Sequence, residues 1–371
     1  MASAAAGASA AAPLATPELE AEATPLDGAP AAEASPAQGQ PAPADAKPCH
    51  PDDNDDDDHN SNDDVWAWLQ PGTLEWRVTS PDKLVGEDQL RADFDHARYS
   101  AREPATPELA AAIEETWAAR VSANPRLFNG TKFRLASVRS GEAGSESPLW
   151  LGIGLTDYRR FLGTNCAAKQ STYDELLAEG RTAHADERAC IADPLGVGVI
   201  LVTSDTKVIL IERSHLTGEY QGFVDPPAGH CEPKRPGLDK DPEQGSPSDR
   251  SAAFRKELFW SILDEIVCEV NIPVVHLSAP RLCAILRQQG PSRARPNALF
   301  FVTCDLNEAE IRALYNQGGE EKDESVALLA LNLDDLRAAR RLDNINGAPL
   351  TPQTRVLISL VLSQCVPFKP C

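Results

Sequence analysis

The chain has 371 residues and a formal net charge of −21, a length that allows two or three domains. Residues 1–64 hold 14 acidic side chains against one lysine, leaving −8 for the other 307 residues, so no basic face for nucleic acid is expected. The nine cysteines are scattered without a CxxC, no run of 18 apolar residues occurs, and the start MASAAAGASAAAPLATPELE has no basic region. These features argue against a disulfide framework or a zinc site, no membrane span is expected, the start fits neither a secretory nor a mitochondrial leader well, and a reducing, intracellular setting is expected.

Residues 1–64 are Ala/Pro-rich and end in PDDNDDDDHNSNDD. So few large apolar groups leave nothing to offset the entropy of ordering, and the tail is read as a disordered acidic spacer. Folded sequence begins near Val65, with a short strand at Thr73–Thr79 and a helical stretch over Gly86–Tyr99. A helix over Thr106–Ala123 has Thr106 as cap, Pro107 at its first position and Leu109, Ile113 and Trp117 as its buried stripe. Strands follow at Lys132–Arg139 and Leu149–Leu155, then a capped turn in TDYRRFLGTN. A helix over Ser171–Glu179 has Ser171 and Asp174 as a capping box and Gly180 as its stop.

From Ile191, LGVGVILVTSD and KVILIERS read as a hairpin, and Pro233–Arg250 as an exposed insertion with Leu238 its one core residue. One helix is expected over Phe254–Pro273. Strands are then expected at 281–287, 298–305 and 325–331, with helices at 307–315, 334–341 and 351–364, the last capped by Thr351. The alternation predicts an α/β fold: a small α/β unit over 65–190, then a sheet between helices over 191–371.

The helix at 254–273 carries the chemistry. Leu258, Ile262 and Ile266 form an apolar arc, yet Glu265 and Glu269 project at the same angles. Carboxylates turned inward are normally paired or bound to metal. A glycine-bearing loop, PPAGH at 226–230, precedes them, and Arg213, a bidentate phosphate donor, closes the strand upstream. Hard oxygen ligands, a glycine loop and an arginine suggest Mg²⁺ and phosphoryl or pyrophosphate chemistry. Each residue also has a plainer reading. The two glutamates serve equally as solvated acids, Arg213 as an edge charge, His230 as a loop hydrogen-bonder and Thr351 as a helix cap.

On these residues the chain resembles the Nudix hydrolases, whose box is G-x5-E-x7-R-E-U-x-E-E-x-G-U. Asp264–Ile272, DEIVCEVNI, puts Glu265 on the first core acid and Glu269 on the last. Asp264, Cys268 and Asn271 stand where the box has Arg, Glu and Gly, and 21 extra residues separate Gly229 from Glu265. Within the family, TKFRLASV, GIGLTDYRRFLGTN, ADPLGVGVILVTSD and VDPPAGHCEP are similar to the divergent group that hydrolyses UDP-glucose and UDP-galactose. The resemblance implies a Nudix αβα sandwich with a mixed sheet, and Mg²⁺-dependent cleavage to UMP and sugar 1-phosphate. It makes Glu265 and Glu269 the metal-binding catalytic pair. It makes Phe128, Tyr158, Arg213, Gly218, Asp225, His230, Glu232 and Thr351 the substrate contacts. Glu257, His230 and Glu232 remain alternatives for the general base. A small-molecule nucleotide sugar, no nucleic acid, membrane or protein partner, and a cytoplasmic or nuclear location complete the expectation. The readings kept beside it are hydrolysis of another nucleoside diphosphate such as ADP-ribose, and a UDP-sugar-binding module with weak turnover.

Overall fold

A computed structural model describes residues 65–368, apart from 126, 142–147, 216, 218 and 320–322. The tail over 1–64 and the expected contact Gly218 lie outside the described residues.

The first part of the fold comprises β1 (Leu74–Arg77), β2 (Arg91–Phe94), α1 (His96–Tyr99), α2 (Pro107–Ala123), β3 (Thr131–Ser140), β4 (Leu149–Asp157), α3 (Tyr158–Gly163) and α4 (Gln170–His184). The second comprises β5 (Gly196–Val202), β6 (Val208–Arg213), β7 (Val224–Asp225), β8 (Ala228–His230), α5 (Pro247–Glu265), β9 (Arg281–Gln288), β10 (Arg295–Thr303), α6 (Glu308–Gln317), β11 (Ser325–Leu331), α7 (Leu333–Leu342) and α8 (Pro352–Leu362).

The main sheet runs β1-β9-β10-β5-β6-β11, with β8 also on β5 and β7 also on β6. Only β10 and β5 pair in parallel among its described strands. β5 is buried at every residue, which its unbroken run GVGVILV requires, because a central strand covered on both faces has no polar side. Val197, Val199 and Leu201 pack toward Phe254, Leu258 and Ile262 of α5. Ile200 and Val202 pack toward Val356, Leu357 and Leu360 of α8. The sheet between these helices is the expected αβα sandwich.

A second sheet, β2-β4-β3, covers the other side of α5. Phe133 meets Phe254 edge to face at 5.0 Å between ring centroids. Phe94 N–H donates to Ser251 Oγ at 3.1 Å. α5 is therefore sandwiched between two sheets, which accounts for burial on more than one of its sides. β1, from the first part of the chain, is an edge strand of the main sheet.

Three local expectations are corrected. Gly86–Tyr99 is not one helix, because Arg91–Phe94 pairs with β4 and only His96–Tyr99 is helical. The helix expected at 171–179 runs from Gln170 to His184, and no side chain caps it. Gly180 lies inside that helix, where a Cβ would come within 2.5 Å of the Glu187 carbonyl oxygen, so close packing explains the glycine. Third, the helix expected over 254–273 begins at Pro247 behind a Ser246–Asp249 capping box and changes to a π-helical turn at Ile266–Val270. Among the described residues no helix is long and apolar enough to cross a membrane.

Candidate active site

β8 pairs with β5 along one edge, so alternate N–H groups on its other edge need partners. Glu269 accepts from Ala228 N–H at 2.8 Å, and Glu265 accepts from His230 N–H at 3.3 Å. Glu265 ends α5 and Glu269 lies in the π turn that follows, so the two acids, four residues apart, reach that free edge. The turn ends at Asn271, whose φ of 63° is left-handed and whose side-chain amide donates to the Leu314 carbonyl at 2.8 Å. Asparagine tolerates that backbone next best to glycine, so the box's glycine position keeps its geometry here.

Glu269 is 2 % exposed. Burial first, and the neighbouring Glu265 charge second, push its carboxyl well above the usual range, while the Ala228 N–H and Arg213 oppose that shift. A buried carboxylate crowded by a second one suits a hard divalent cation. Among the described residues no third His, Cys, Asp or Glu joins them in a metal-holding group. The donor set therefore fits a cation that draws the rest of its shell from water and substrate oxygens, and Glu265 and Glu269 are the residues that would hold it.

The Glu265 carboxylate lies over Gly229: a Cβ there would sit 1.8 Å from Glu265 Oε1. Gly229→Ala must displace that carboxylate. It is expected to fold with a melting temperature near wild type and to lose about 100-fold in turnover, the size of effect a misplacement of about 1 Å has in an active site. Wild-type turnover in that variant would remove the need for the glycine.

One cleft of about 890 Å³ is lined by Phe128, Tyr158, Arg213, Asp225, His230, Glu232 and Glu265, the sequence-expected contacts. Phe128 is 76 % exposed. Tyr158 N–H donates to the Gly130 carbonyl at 3.0 Å, which brings the two aromatics to one rim. An exposed phenyl ring beside a half-buried tyrosine offers stacking surface rather than core. Arg213 Nη1 lies 3.6 Å from Asp225 Oδ2, and its Nε donates to the Glu219 carbonyl at 3.2 Å. Asp225 is buried, which raises its carboxyl pKa against the opposing pull of Arg213 and Thr351.

Glu269 and Thr351 do not line the cleft. Thr351 is buried, caps α8 through Thr354 N–H at 3.2 Å, and donates its hydroxyl to Asp225 Oδ1 at 2.6 Å. The structure thus puts Thr351 behind Asp225, which it orients.

All three candidate bases already hold cationic partners. Glu232 pairs with Lys132. Glu257 meets Arg235 Nη1 at 3.2 Å, and the same guanidinium reaches Asp264 at 2.7 Å. His230 Nε2 lies 2.8 Å from Arg295 Nη1. Arginine only donates, so Nε2 accepts and Nδ1 carries the proton. Burial and then Arg295 hold this imidazole neutral, well below its ordinary pKa.

Sequence reasoning missed Lys132, Arg235 and Arg295. The stretch 233–250 reads only as an exposed insertion in the sequence, and the strand expected at 298–305 begins three residues earlier, at Arg295. An arginine leading an apolar strand, RPNALFFVT, was the available signal for Arg295. Arg235 supplies from the insertion a positive charge beside Asp264, the residue standing where the box has arginine.

No protein-family profile matches the chain. It is 37 % identical over 286 residues to a human protein named uridine diphosphate glucose pyrophosphatase NUDT22, covering 76 % of this chain and 89 % of that one. The bovine protein of that name is 39 % identical over 252 residues, covering 67 % and 83 %. Nudix hydrolase 9 of Arabidopsis thaliana is 33 % identical over 264 residues, covering 68 % and 81 %. With the acid pair on its glycine-bearing strand, these relatives show that the chain belongs to the Nudix hydrolase family.

Proposed function

We propose that the protein hydrolyses the pyrophosphate of UDP-glucose and UDP-galactose to UMP and sugar 1-phosphate, with Mg²⁺ as the metal. The carrying observation is the single cleft that gathers an acid, a glycine strand, arginines and rim aromatics. The names of the human and bovine relatives support the substrate. Phe128 and Tyr158 stack on the uracil, as aromatics do with any base. Arg213 and Arg295 face the diphosphate oxygens, and guanidinium groups match such oxygens in pairs. Glu265 and Glu269, which accept from the β8 N–H groups, would hold the cation. When bound, such a cation neutralises phosphate charge and lowers the pKa of a coordinated water. Asp225, steadied by Thr351, accepts from a sugar hydroxyl. Glu232, still half in solvent beside Lys132, is the candidate base with most freedom to take a proton. Gly218 is carried as a further contact on resemblance.

A panel of UDP-glucose, UDP-galactose, ADP-ribose and NADH, each with Mg²⁺, tests the reading by the products released. UMP is expected from the two UDP-sugars. Cleavage of ADP-ribose alone would overturn the substrate and keep the chemistry, whereas UDP-glucose binding without turnover would leave a binding module.

A further inference from the structure

On the α8 side of the sheet, two buried amides sit at the floor of the cleft without their full hydrogen bonds. Asn297 of β10 is 2 % exposed and Gln353 of α8 is 0 % exposed, and both line the cleft. Asn297 Nδ2 donates to Gln353 Oε1. Asn297 Oδ1 and Gln353 Nε2 have no partner among the described residues. Turning either amide over changes which atom is orphaned and does not satisfy both ends.

The neighbouring strand is shaped around this pair. A Cβ on Gly196 would fall 1.9 Å from Asn297 Oδ1, and one on Gly198 would fall 1.5 Å from Gln353 Nε2. Glycine inside a central strand weakens it and marks close approach of another group. Two such glycines make room for the two orphaned amides beside the buried Thr351–Asp225 pair. Each unmet buried polar atom costs about 1–3 kcal/mol. The arrangement is thus costly to the free protein at two levels, and it lies where a ligand would bind.

The chemistry of the pair selects the ligand group. Amides carry no charge, so they suit a neutral partner better than the diphosphate, which has Arg213 and Arg295. They present a donor and an acceptor side by side, as an alcohol does. Gln353 is two residues beyond Thr351, whose hydroxyl holds Asp225 at 2.6 Å. The geometry points to Asn297 and Gln353, with Asp225, as the subsite that reads the hydroxyls of the hexose. This inference rests on the UDP-sugar reading.

The test compares kcat/KM for UDP-glucose with that for the hexyl ester of UDP, which keeps the pyrophosphate and lacks the hydroxyls. In the double variant Asn297→Leu, Gln353→Met, the value for UDP-glucose is expected to fall about 10- to 100-fold, matching two or three hydrogen bonds. The hexyl ester should stay within about twofold. The melting temperature should hold or rise, because shape is kept and the unmet polar atoms are gone. Equal loss on both substrates, or no loss on either, overturns the subsite. Gln353→Met alone is read the same way if the double variant does not fold. Wild-type enzyme that cleaves the hexyl ester but not UDP-glucose would instead overturn the UDP-sugar reading.

Discussion

Glu265→Gln and Glu269→Gln should each lower UMP release from UDP-glucose by about 100-fold or more, with the fold intact. Each removes one of the two charges proposed to hold the cation, and losing a single group that stabilises charge in the transition state costs about 10²–10³. A second readout does not depend on turnover. A ligand at 100 times its Kd stabilises the native state by about 2.7 kcal/mol, so Mg²⁺ or Mn²⁺ should raise the melting temperature of the wild type. That rise should vanish in both variants. Variants that keep either turnover or the metal-dependent rise would remove the acid pair from the metal site.

Asp193→Asn is expected to destabilise the protein by roughly 3–5 kcal/mol, the range for leaving a buried charge without its partner. Asp193 is fully buried. It receives Arg188 in a two-pronged pair, Arg287 Nη1 at 3.1 Å and Asn165 Nδ2 at 3.0 Å. Its φ of 42° is one that asparagine also adopts, so the substitution removes charge without straining the chain. Burial alone would raise the Asp193 pKa, but Arg188 and Arg287 outweigh it and hold the carboxyl at about 2. The folded pKa is depressed, so the stabilisation is complete above the unfolded value of about 3.9. It is lost as pH falls toward 2. Wild-type stability measured by denaturant titration should therefore drop between pH 4 and pH 2, and the Asp193→Asn curve should be flatter there. Equal slopes would show that the arginines do not depend on this carboxylate.

The legible parts of the site were those with a chemical contradiction in one dimension. Glu265 and Glu269 stood out because acids do not belong on an apolar arc, and PPAGH stood out as a glycine turn. Thr351 was readable as a cap because Thr-Pro marks a helix start, and its bond to Asp225 was not, since 126 positions separate them. Arg235 and Arg295 gain their meaning only from partners remote in sequence. The capping box at Ser246–Asp249 was hidden inside a polar stretch whose composition looked like loop. The π turn was invisible because it differs from an α-helix in hydrogen-bond spacing and not in residue type. Asn297 and Gln353 drew no notice, because polar residues near strand and helix starts are ordinary until their burial is known.

The sandwiching of α5 bears on how the enzyme moves. Phe128 and Tyr158 flank one end of the β3–β4 pair, the acids lie at the end of α5 and in the π turn after it, and Phe133 meets Phe254 between the small sheet and the helix. The proposed base and cation sites thus share one wall, built of the small sheet and α5. Binding costs little reorganisation in such a frame, so affinity for the nucleotide should come through a slow off-rate rather than a closing motion. The same wall makes the parts inseparable in stability, since lifting the small sheet would bare the back of the helix that carries the acids.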